Sequence, residues 1–71
     1  MKRAYRKLLD QLYEEILINT RLADLYYKDM ENALDIHDHA AALMYERCLR
    51  ELRDENYELN VAVRIIEERV T

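Results

Sequence analysis

Apolar residues recur through the first half of the chain at Tyr5, Leu9, Leu12, Ile16, Ala23, Tyr26, Met30 and Ala33, with Asn19 filling one place in the series. The steps alternate between four and three residues without a slip. That spacing places side chains on one stripe of an α-helix. The second half repeats the pattern at Tyr45, Leu49, Leu52, Asn56, Leu59, Val63, Ile66 and Val70, again with a single asparagine. Each half is a heptad seam. Opposite the first seam stand Lys7, Glu14, Arg21, Lys28 and Asp35, all charged, as a solvated face requires.

The two seams are out of phase. Continuing the first through Ala40 and Met44 misses Tyr45 by one residue. Such a slip is awkward inside a continuous coiled coil and harmless at a turn. Folding the chain back so that facing residue numbers add to 75 gives a second test. Tyr5 then meets Val70, Leu9 meets Ile66, Leu12 meets Val63, Ile16 meets Leu59, Ala23 meets Leu52, Tyr26 meets Leu49 and Met30 meets Tyr45. Asn19 meets Asn56, where each amide is expected to satisfy the other. Each layer joins an a with a d position, the pattern of antiparallel helices, and a paired asparagine layer fixes register and orientation.

The pattern predicts an all-α antiparallel helical hairpin, one domain over residues 1–71, with helices over 4–35 and 39–70 and a turn near 36–39. Asp35 or Asp38 is expected to cap the second helix through a side-chain oxygen, and Ala40–Ala42 continues it with strong helix formers. The chain has no glycine for the usual left-handed residue at a helix C-terminus. The competing arrangement is a single helix about 105 Å long.

The seam leaves apolar residues over. One flank of helix 1 carries Leu8, Ile18, Leu22, Leu25 and Ile36, and the matching flank of helix 2 carries Met44, Cys48, Ala62 and Ile65. A hairpin alone would leave this stripe wet, and contiguous apolar surface of that extent marks an interface. The expected occupant is a second copy, giving a homodimeric four-helix bundle. A different protein partner would fit equally well. Glu15 lies in the same stripe, with Arg69 as its expected ion-pair partner across the dimer. The other flank mixes Tyr13, Leu17, Tyr27, Leu34, Leu43 and Tyr57 with Arg6, Asp10, Asp24, Arg50, Arg53 and Arg64. Tyrosine and arginine are over-represented at recognition hot spots, so this is the candidate recognition face.

Composition narrows the function classes. The chain is 51% hydrophobic and 37% charged with no glycine or proline, which suits a helical bundle and not a disordered segment. A 71-residue core is thin, and one cysteine cannot form an internal disulfide, so association is the expected staple. The lone thiol fits a reducing compartment, the cytoplasm. No apolar run approaches membrane-spanning length, and the N-terminus lacks a signal-peptide pattern. A net charge of −4 argues against wholesale attraction to nucleic acid. A local basic set, Lys2, Arg3, Arg6, Lys7, Arg50, Arg53 and Arg64, keeps RNA binding open as a lesser expectation.

"DIHDH", residues 35–39, is the one stretch with metal-ligand chemistry. On a continued helix Glu31, Asp35 and His39 would share a face, a weak set for Zn²⁺, Ni²⁺ or Cu²⁺. Capping explains Asp35, His37, Asp38 and His39 more cheaply, so neither a metal nor a cofactor is expected. The chain has no glycine-rich phosphate loop and no nucleophile–base pair, and the expectation is a non-enzymatic protein without a small-molecule substrate. Cys48 has no cationic neighbour to activate it and reads as a small apolar packer.

"HDHA", followed by Tyr45, Cys48 and Leu49 in "YERCL", resembles the second helix of the Rop family of plasmid copy-control proteins. That family consists of acidic helical hairpins that dimerise into four-helix bundles and bind paired RNA loops. The resemblance covers residues 37–49, with one more residue between the two pieces than the family has. It implies a dimeric hairpin and RNA binding as an alternative function. Helix 1, which carries the family's RNA contacts, shows no match, so no functional residue carries over. The reading as a whole is a self-associating regulator or adaptor that acts through helix-mediated protein–protein interaction.

Overall fold

The computed structural model describes residues 3–70. Lys2, and the Val70 side chain expected opposite Tyr5, lie outside the described residues. Two helices, α1 (Arg3–Asp35) and α2 (His39–Val70), pack antiparallel as a hairpin. The molecule measures 52 × 14 × 13 Å. A helix of 33 residues spans about 50 Å at 1.5 Å per residue, so one helix length is the length of the molecule. This excludes the single long helix.

The seam is where the periodicity puts it. Every residue of α1 that is not exposed belongs to the series Tyr5, Leu9, Leu12, Ile16, Asn19, Ala23, Tyr26, Met30, Ala33. On α2 the seam residues Tyr45, Leu49, Leu52, Asn56, Leu59, Val63 and Ile66 are likewise buried or half-buried. The seam is buried at both ends: toward the open end Leu9, Val63 and Ile66 form a cluster flanked by Tyr5, Leu12 and Ile16, and beside the turn Ala33 and Ala42 are buried as deeply. Near the turn, Tyr26 leans past its own layer, and its ring sits 6.2 Å from that of Tyr45.

The asparagine layer holds the predicted register with a different bonding pattern. Asn19 Nδ2 donates to Asn56 Oδ1 at 3.0 Å. The expected return bond between the two amides is absent. Asn56 Nδ2 instead reaches the Ile16 carbonyl at 3.5 Å and Thr20 Oγ1 at 3.4 Å. The Thr20 hydroxyl donates to the same Ile16 carbonyl at 2.8 Å. The Ile16 carbonyl and Thr20 hydroxyl thus take the place of the return bond, and Asn56 ties α2 to the backbone as well as to the facing amide. No buried side-chain nitrogen or oxygen among the described residues lacks a partner.

The turn solves the glycine problem with a histidine. His37 adopts φ 61°, in the left-handed region. Its N–H donates to the Leu34 carbonyl at 3.0 Å, and the Asp38 N–H donates to the Ala33 carbonyl at 2.8 Å. These are the two bonds of a Schellman motif. Asp38 then starts α2: its Oδ1 accepts the Ala41 N–H at 3.1 Å and its carbonyl accepts that of Ala42 at 3.0 Å. Of the two aspartates expected to cap, Asp38 does so, while Asp35 closes α1. Residues 36–38 therefore satisfy both helix ends.

A hairpin cannot enclose much. Among the described residues no large side chain is completely shielded from solvent. The exposed surface is 5943 Å², against roughly 4,700 Å² for a compact protein of this mass, 8.6 kDa.

Candidate interaction surface

Side chains beside the seam fall on two flanks, since heptad positions g and c lie to one side and e and b to the other. On the first flank Leu8, Ile18, Leu22, Leu25, Met44 and Ile65 stand 38–59% exposed, while Cys48 and Ala62 are half-buried against the seam. Ile36, at the turn, is 74% exposed. Glu15 is exposed in the middle of the stripe, with Asp29, Glu51, Glu55 and Glu58 on the same flank. Arg69 sits at the far end.

The second flank is more polar and partly organised. Tyr13 Oη donates to Glu67 Oε2 at 3.1 Å across the helices. That bond, with the carboxylate charge behind it, holds the Tyr13 phenol above its usual ionisation range. Arg50 grips Glu46 one turn earlier, with Nη2 at 2.8 Å from Oε1 and 3.0 Å from Oε2. The guanidinium is raised further by that contact. Tyr27 and Tyr57 stand 52% and 71% exposed, and Arg53 and Arg64 are also exposed. An open groove of about 390 Å³ runs beside the turn, lined by Met30, Leu34, His39, Ala42, Leu43 and Glu46. The basic residues of the RNA reading fall in two groups: Arg3, Arg6, Lys7 and Arg64 toward the open end, and Arg50 and Arg53 nearer the turn, with acidic residues between them.

The turn breaks the face on which Glu31, Asp35 and His39 would have lined up. The His37 and His39 rings lie 6.4 Å apart and tilted by 50°. Among the described residues no three His, Cys, Asp or Glu side chains are grouped as a metal ion would need. No described helix is long and apolar enough to cross a membrane. Sequence reasoning passed over Thr20, which braces the asparagine layer, and Val61, exposed on the outer face of α2. No protein-family model, curated protein or solved structure matches the chain.

Proposed function

We propose that this chain is a non-enzymatic interaction protein. It pairs with a second copy through the flank bearing Leu8, Ile18, Leu22, Leu25, Met44 and Ile65. It presents the tyrosine- and arginine-bearing flank to a protein that it regulates or bridges. The observation that carries the reading is the aliphatic stripe, left exposed on one side of a molecule that already has more surface than its mass requires. The second helix pair of a four-helix bundle covers that stripe. On the other flank, Tyr13, Tyr27 and Tyr57 beside Arg50, Arg53 and Arg64 supply the residue types that dominate binding energy at protein interfaces. The unpaired thiol of Cys48 fits the cytoplasm as the compartment.

The test is Leu22→Glu, followed by size-exclusion chromatography with light scattering. The native chain is expected to run as a dimer and the variant as a monomer. A variant that stays dimeric removes the stripe from the interface, and a monomeric native chain removes self-association. Nucleic acid that co-purifies at low salt and washes off as salt rises would replace this reading with RNA binding.

A further inference from the structure

The outer flank of α1 reads the same in both directions. Leu22 lies at its centre. Moving outward, the next pair is Ile18 and Leu25, both aliphatic. Then come Glu15 and Asp29, both acidic, and Gln11 and Asn32, both amides. Leu8 and Ile36, the latter the first residue of the turn, close the series, both aliphatic again. A chemical palindrome along a helix is what a two-fold axis crossing that helix demands, because residue i of one copy faces residue j of the other and j faces i.

We infer that two copies pair through α1 against α1, antiparallel, with the two-fold axis passing beside Leu22. This rests on the self-association proposed above and specifies its geometry. Positions c and g lie about 110° around the helix from the a/d seam, at 100° per residue. A helix with two such stripes touches two neighbours at nearly a right angle, as in a square four-helix bundle. In this arrangement α1 meets α2 through the seam and meets its own copy through the palindrome.

The other two-fold arrangement of the same flank fails on chemistry. With the axis along the length of the hairpin, α1 faces α2 of the second copy at equal height. By the hairpin register, Ile18, Leu22 and Leu25 are level with residues 57, 53 and 50, and the residues of the mated flank nearest those heights are Glu58, Glu55 and Glu51. The crossing axis instead sets Leu22 on Leu22 and Ile18 on Leu25. It also sets α2 on α2, with Met44 opposite Ala62 and Glu51 opposite Glu55. The attraction comes from the α1 side. The layer that opposes it there is Glu15 against Asp29 of the second copy, formed twice per dimer, in place of the Glu15–Arg69 ion pair expected from the sequence.

That layer supplies the test. Glu15→Lys turns both acid–acid contacts into ion pairs and is expected to tighten the dimer about 5- to 10-fold, as is Asp29→Lys. The double variant restores like-charge contacts, Lys against Lys, and is expected to fall back toward the native affinity. If only overall charge mattered, the double variant would bind tightest, and the register would be wrong. Sedimentation equilibrium reads all four proteins. In a Cys48→Ser background, Leu22→Cys is expected to form a disulfide-linked dimer on mild oxidation. Leu25→Cys is expected to link only when mixed with Ile18→Cys. A native chain that never dimerises overturns the self-association itself. A dimer in which both single variants fail to tighten, or in which Leu22→Cys does not link, overturns this register alone.

Discussion

Asn19 is the one polar side chain among the buried described residues, at 8% exposure, and its layer sets the register by penalty. Sliding α2 by one turn would leave Asn19 without Asn56 and would bury an unbonded amide, at about 1–3 kcal/mol. Asn19→Ala is therefore expected to lower stability by about that amount in thermal or urea unfolding, since Asn56 Oδ1 loses its donor. Replacing both asparagines by leucine is expected to recover or raise stability, while amide exchange along the seam becomes less uniform. The sequence spacing alone placed the two asparagines together. It did not reveal Thr20, because an i to i−4 hydroxyl bond looks like an ordinary exposed threonine until α2 lies alongside. Nor did it foresee that Asn56 would turn its amide to Thr20 instead of returning Asn19's bond.

At the scale of the helices, length and pairing were legible because no glycine or proline interrupts the 3–4 spacing across either element. The turn was legible as a break in phase, and its closure was not. A left-handed residue without glycine is unfavourable in isolation by about 1–2 kcal/mol. Two flanking hydrogen bonds and the Asp38 cap hold His37 there. His37→Gly is accordingly expected to raise the melting temperature, and Asp38→Ala to cost about 1 kcal/mol of stability. Both are read by calorimetry. Charge runs against the helix dipole at two places: Arg3, Arg6 and Lys7 begin α1, and Asp35 ends it. The antiparallel plan offsets the first by setting that start beside the last turn of α2, where Glu67 and Glu68 lie.

For the whole molecule, the sequence showed two unequal flanks but not what covers them, since a heptad pattern records the direction of a face and not its neighbour. The proposed pairing brings together two chains of net charge −4, with carboxylates on the mated flank. Salt screens that repulsion within about 10 Å at 0.1 M. Dimer affinity is therefore expected to rise between about 0.05 and 0.5 M NaCl, as measured by sedimentation. A fall over that range would mean attractive charge pairs dominate the interface. RNA binding through the arginines would show the opposite trend, weakening with salt.

The three-residue turn also governs what happens when the hairpin opens. Straightening residues 36–38 into helix would fuse α1 and α2 into one rod, and two rods could then exchange halves. The seams meet one residue out of step, so the two cohesive edges of such a rod would point about 100° apart. Each half would have to find its mate around a corner. The phase slip thus acts as a guard against strand exchange and entanglement when many copies fold at once.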